Sequence, residues 1–98
     1  MIDLHTHTVF SEGELIPAEL ARRAKVAGYR AIAITDHADA SNLDLIVPHL
    51  LAVAREYSIF MDMHIVAGVE LTHVPPGLIA REAERARSLG ADIVLVHG

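Results

Sequence analysis

Apolar residues fall into four short runs along the chain, and the stretches between them carry apolar residues at helical spacing. The first run, residues 1–7, reads as a strand that ends in His5-Thr6-His7. Residues 8–16 form a loop containing Ser11-Glu12-Gly13. Pro17 suits the first position of a helix, where its missing N–H leaves no bond unmade. That helix runs to Ala27, with Leu20, Ala24 and Ala27 on one face, and Gly28 stops it. Ala31-Ile32-Ala33-Ile34-Thr35 is a near-continuous apolar run, the mark of a strand covered on both faces, and it leads into Asp36-His37. Residues 38–42 are a small, polar loop. A helix follows over 43–57, with Pro48 either kinking it or marking its true first turn. A third strand over 64–69 leads into Glu70, and a loop with two prolines covers 72–77. The last helix spans 78–89, with Ile79, Ala83 and Ala86 on one face. Arg81, Glu82, Glu84, Arg85 and Arg87 are expected to form its solvated side. Gly90 ends it, and a fourth strand over 92–96 leads into His97.

The order is βαβαβαβ, with strands spaced at about the 30 residues of a βα unit. Alternation of this kind predicts a parallel sheet with right-handed crossovers. Ala24 to Gly28 and Ala86 to Gly90 are matching Ala-x-x-x-Gly helix ends, each followed by an apolar strand that leads to a histidine. They form a weak internal repeat in support of the same order.

Composition narrows the function classes. The 98 residues are 52% hydrophobic and 21% charged, with a formal net charge of −5, as befits one small globular domain. An acidic balance without a basic run argues against non-specific binding to nucleic acid or to an anionic membrane. Four aromatic residues, Phe10, Tyr29, Tyr57 and Phe60, are too few for a base-stacking surface. No cysteine is present, which excludes disulfides and thiolate metal sites. No apolar run nears the ~20 residues of a bilayer span, and no secretory signal precedes the first strand. A cytoplasmic location is the expectation. The chain holds seven histidines, many for its length.

The chemistry is expected where the strands end, because ligands of parallel α/β folds sit at the carboxyl ends of the strands. His5 and His7 stand two apart on strand one, on one face, able to hold one cation between them. Strand two delivers Asp36 and His37, strand three Glu70, and strand four His97. Imidazole and carboxylate donors without thiolates suit zinc, manganese or iron. A carboxylate such as Glu70 can bridge two ions, and two ions about 3.5–4 Å apart are a common clamp for phosphoryl transfer. Such a site needs no nucleophilic side chain, and neither Ser11 nor Ser41 has a Ser-His-Asp setting. Several residues keep two readings. Asp3 is either an outer partner that orients a ligand histidine or a plain strand residue. Glu12 is a ligand or a loop carboxylate. His73 contacts substrate, metal or only the turn at Pro75-Pro76. His49 and His64 read as structural, on a helix and at a strand start.

Asp-Leu-His-Thr-His-Thr at 3–8, Ser-Glu-Gly at 11–13, Ile-Thr-Asp-His at 34–37, Gly-Val-Glu at 68–70 and Val-His-Gly at 96–98 resemble successive motifs of the polymerase-and-histidinol-phosphatase (PHP) superfamily. The resemblance covers nearly the whole chain, in order. It implies an α/β fold whose parallel βα units form the first half of a distorted (βα)7 TIM-like barrel. It implies two or three divalent metal ions: one on His5 and His7, a second on His97, Glu70 bridging the two, and a third on His37 and Glu12. Glu12 stands where the family has an aspartate. It further implies phosphomonoester hydrolysis by metal-activated hydroxide on a small phosphorylated substrate, as in histidinol phosphatases. Later ligands of the pattern, a histidine and an Asp-x-His, have no counterpart by Gly98, so residues 1–98 are read as the amino-terminal part of a single PHP domain. A half barrel would leave sheet edges through which copies self-associate. The rival readings are an amidohydrolase-type metal hydrolase, which also opens on His-x-His but uses a late lysine, and a non-catalytic metal-binding PHP module. Lys25, the chain's lysine, falls on a helix.

Overall fold

Each apolar run becomes a strand and each amphipathic stretch between them a helix. The computed structural model describes every residue except Met1, Val9, Glu12, Glu14 and Gly98. In chain order the elements are β1 (Ile2–Thr6), α1 (Pro17–Val26), β2 (Ala31–Ala38), α2 (Leu43–Met61), β3 (His64–Thr72), a 3-10 turn (Pro76–Leu78), α3 (Ile79–Ser88) and β4 (Ile93–His97). The sheet has the order β1-β2-β3-β4, and every neighbouring pair is parallel. Sequential parallel strands joined by helices make a curled half-barrel, the first half of a TIM-like barrel.

The two helix ends of the repeat are the same motif. After α1, the Gly28 N–H donates to the Lys25 carbonyl and the Tyr29 N–H to the Ala24 carbonyl, with Gly28 at φ +94°. After α3, Gly90 donates to Arg87 and Ala91 to Ala86, with Gly90 at φ +113°. Both are Schellman caps, in which only glycine takes the left-handed position without strain. The longest helix, α2, ends differently: Asp62 takes the left-handed position at φ 49°. With no glycine to mark it, the helix runs four residues past the expected Tyr57. Pro48 lies inside it, so the helix starts well before the proline and forgoes one backbone bond there.

Helix α2 packs across β2 and β3. Ile32, Ile34, Val69 and Leu71 from the strands meet Leu43, Ile46, Val47 and Leu50 from the helix, all at most 1% exposed. α3 departs from the expected solvated side at one position. Glu82 is buried, because it sits at the i+3 position of the inward stripe formed with Ile79, Ala83 and Ala86.

The curl has a local cause at Gly68 in β3. A Cβ there would lie 2.5 Å from the Ile93 carbonyl oxygen of β4 and 3.0 Å from Thr35 Cγ2 of β2. Only a residue without a side chain lets three strands close in at this point. The outer strands keep exposed apolar residues, Ile2 and Leu4 on β1 and Val96 on β4. No helix among the described residues is long and apolar enough to cross a membrane.

Candidate metal centre

The site begins with an irregularity in β1. Asp3 pairs with Ile32 and Thr6 with Ile34, so two residues, Leu4 and His5, stand against the single residue Ala33. This is a β-bulge, which turns the chain and re-aims side chains. Asp3 and Thr6 both align with core-facing residues of β2, whereas His5 and His7 turn to the concave side. Side chains repair the interrupted ladder: the Thr6 hydroxyl donates to the Ala33 carbonyl at 2.9 Å, and the Thr35 hydroxyl to the Thr6 carbonyl at 3.3 Å. The Asp3 carboxylate accepts the backbone N–H of His5 at 3.0 Å. Asp3 therefore supports the bulge that presents His5, and it binds the backbone rather than the ring.

Glu70 is the centre on which the histidines converge. His37 of β2 is in register with Glu70, and Thr72 of β3 with His97 of β4. Glu70 Oε1 lies 2.8 Å from His5 Nε2, 3.1 Å from His7 Nε2 and 3.6 Å from His37 Nδ1. Its other oxygen, Oε2, lies 3.2 Å from His97 Nδ1. The two imidazole nitrogens of His5 and His7 approach each other to 3.0 Å. One carboxylate thus addresses three histidines with one oxygen and a fourth with the other.

Burial pushes the Glu70 carboxyl up. The hydrogen bond and charge of His5, the charge of His37 and the hydrogen bond to His97 outweigh burial, and the group stays below the usual glutamate range. A nearly buried carboxylate held ionised beside several imidazoles offers the donor types that a cation takes.

Donors around a zinc-sized ion at 2.0–2.1 Å sit about 3.4 Å apart on a tetrahedron. His5, His7 and Glu70 present one ligand atom each within 4.8 Å of one another, and their contacts of 2.8, 3.0 and 3.1 Å fall a few tenths short of that spacing. Small side-chain rotations supply the difference, so the residues fit a divalent ion.

Thr72 was not among the expected site residues. Its hydroxyl donates to the Glu70 backbone carbonyl at 3.1 Å and meets His37 Nδ1. The hydroxyl thus holds the His37 ring by Nδ1, the nitrogen that also lies 3.6 Å from Glu70 Oε1. The available signal was its position two residues after Glu70, on the same face of β3.

Asp36 takes a different place from its neighbour His37. It is fully buried, and its oxygens accept the Thr8 N–H, the Thr8 hydroxyl at 2.6 Å and the Ser11 hydroxyl at 2.6 Å. It anchors the loop after β1 from beneath. Gly13 closes that loop against His7: its N–H donates to the Thr8 carbonyl at 2.9 Å, and a Cβ there would meet the His7 carbonyl oxygen at 2.5 Å. Glu12, between Ser11 and Gly13, lies outside the described residues.

His5, His7, His37, Glu70, Thr72, His73 and His97 together line one open cleft of about 430 Å³ at the carboxyl end of the strands. His49 is elsewhere, on α2, with its ring 5.9 Å from Phe10. His64 lies at the start of β3, beside a cavity of about 390 Å³ shared with Lys25, Arg30 and Asp62. Lys25 donates to the Asp62 carbonyl there, at 3.2 Å.

Comparison with known proteins agrees with this geometry. The PHP domain family matches residues 3–93. The uncharacterized protein MJ1295 of Methanocaldococcus jannaschii is 57% identical over 97 residues, which are 98% of this chain and 44% of that protein. The DNA polymerase III PolC-type of Caldanaerobacter subterraneus subsp. tengcongensis is 30% identical over 96 residues, 96% of this chain and 6% of that protein. The chain spans less than half the length of either relative.

Proposed function

Because the chain belongs to the PHP domain family, a metal-dependent phosphoesterase-type superfamily, we propose that its cleft binds divalent metal ions and hydrolyses small phosphomonoesters. The observation that carries this reading is the two-sided use of Glu70: Oε1 toward His5, His7 and His37, and Oε2 toward His97. A carboxylate so placed fits between two cations. His5 and His7 would hold the first, His97 the second, and His37 would serve a third. A donor set of imidazoles around one carboxylate suits zinc, manganese or iron.

Divalent ions in such a site supply Lewis acidity and lower the pKa of water, so a nucleophile is available near neutral pH. The chain's own residues prepare for this. The bulge in β1 and the Asp3–His5 contact fix the direction of the first pair of ligands. Thr72 holds the His37 ring by Nδ1 beside Glu70. Asp36 ties down the loop after His7, which keeps that ring beside Glu70. The cleft is open, and five imidazoles, Glu70 and Thr72 line it, which offers a phosphomonoester hydrogen-bonding groups. Lys25 sits with Asp62 and His64 near the start of β3, away from the histidine cluster, so it is not the lysine that the amidohydrolase reading calls for.

Protein stripped by a chelator and reloaded with manganese or zinc is expected to hydrolyse p-nitrophenyl phosphate, and Glu70→Gln is expected to bind metal more than about 100-fold more weakly. Reloaded protein that cleaves amide or lactone substrates but no phosphomonoester would transfer the site to the amidohydrolase class. Loaded protein inert toward both would leave a metal-binding module without catalysis.

A further inference from the structure

His73 is the non-glycine residue in the cleft whose backbone is left-handed, at φ 57°. Side chains other than glycine and asparagine take this conformation at a cost, and such strain collects at functional positions. Three features hold the residue there. Its N–H donates to the His97 carbonyl at 3.1 Å, carrying the β3–β4 ladder one step past Thr72. The next residue, Val74, is buried at 9% exposure. Pro75 and Pro76 then stiffen the exit, with Pro75 extended at φ −55°, ψ 134°.

The side chain so placed is exposed and lines the metal cleft. Imidazole rings follow one another around that wall. His5 and His7 are 5.0 Å apart by ring centroids, His7 and His37 4.3 Å, His37 and His97 6.4 Å, and His97 and His73 6.1 Å. The first four approach Glu70 within 3.6 Å. His73 ends the row, one ring beyond the carboxylate cluster. It shares the cleft without sharing the cluster of His5, His7 and Glu70 that could hold an ion.

We propose that His73 is a substrate-binding residue: its imidazole N–H engages a phosphoryl oxygen of the phosphomonoester and seats it on the β4 side of the cluster. The inference rests on the phosphoesterase reading above and names the contact that the metal ligands do not make. Both tautomers of a neutral imidazole carry one N–H donor, so the contact does not require a charged ring. The turn does the positioning. An extended chain would carry position 73 to the other face of the sheet, whereas the left-handed step keeps it beside His97.

The positive φ makes a clean test possible, because glycine suits that backbone better than histidine does. His73→Gly and His73→Ala are compared with wild type, each loaded with manganese. Both variants are expected to keep the wild-type metal content and to bind inorganic phosphate about 10-fold more weakly by calorimetry. The KM for p-nitrophenyl phosphate should rise by a similar factor, with a smaller change in kcat. Thermal stability should separate the two, with Gly above Ala, while their phosphate affinities agree. Loss of affinity in Ala alone would show that the loop shape matters and the ring does not. Unchanged phosphate affinity in both, or lost metal, would overturn the assignment of His73 and leave the phosphoesterase reading standing. Wild-type protein that takes up manganese but no phosphate would instead overturn that reading, and this inference with it.

Discussion

The two faces of the same strands do opposite work. On the helix side of β2 and β3 lie Ile32, Ile34, Val69 and Leu71, all at most 1% exposed and packed under α2. On the concave side, one residue away along each strand, lie Thr35 and His37, then Gly68, Glu70 and Thr72. The first face is apolar apart from Asp36, whose carboxylate is taken up by Thr8 and Ser11. The second brings a carboxylate among four imidazoles, with ligand atoms close enough together that a cation could be held. Because side chains alternate, a strand can be stabilised by one set of residues and equipped by the other with little interference. The difference teaches that stability and chemistry are separable here at single-residue resolution.

The strongest challenge to that separation is Leu71→Ala. Leu71 is fully buried, and its truncation should cost about 2–5 kcal/mol of unfolding free energy, a large share of what a small domain has. Chemical denaturation measures the loss. Metal affinity of the molecules that remain folded should be unchanged. If Leu71→Ala weakened metal binding in the folded fraction as much as a ligand substitution does, the two faces would not be independent.

A smaller effect of opposite kind is expected next door. Thr72→Val keeps the shape and removes the hydroxyl that anchors His37. It should weaken metal binding roughly 10-fold, as loss of an outer partner does, with little change in the unfolding midpoint. Titration calorimetry on metal-stripped protein reads the first quantity and thermal melting the second.

The smallest effect is a pH dependence of the metal-free protein. The Glu70 carboxyl is held below its usual range in the folded state. Its contribution is therefore fully present above the unfolded value, about 4.3 for glutamate, and is lost as pH falls through the lower folded value. Wild type should lose stability in that acidic window more steeply than Glu70→Gln, and parallel acid titrations followed by circular dichroism would show it. Identical slopes would mean that the histidines around Glu70 do not hold it ionised.

Much of this arrangement is legible in the sequence, and the exceptions have physical causes. The parallel order was legible because each apolar run is short and each helix before a glycine stop is periodic. Gly28 and Gly90 mark their helix ends by backbone chemistry that leaves a trace in sequence. Asp62 ends α2 by the same conformation without that trace, so the helix runs on to Met61. At the site, the assembly of His5, His7, His37, Glu70 and His97 follows from strand ends sharing a rim. Asp36 lies on the other face from His37, and alternation predicts as much once the strand is known to continue to Ala38. The bulge in β1 was not legible, since nothing in Asp3-Leu4-His5 announces an extra residue against β2. Glu82 escaped for a similar reason: a charge on an inward stripe looks like any other charge until the helix is docked.

Gly68 carries a consequence beyond its own strand. The space its missing methyl would need is filled by a backbone oxygen of β4 and a methyl of Thr35. Any larger residue there would flatten the arc and swing β2 and β4 apart, and His37 and His97 would ride outward with them. Curvature and the spacing of the rim residues are therefore inherited as one character. A lineage that altered the bend of this wall would, in the same stroke, uncouple the residues standing along its rim.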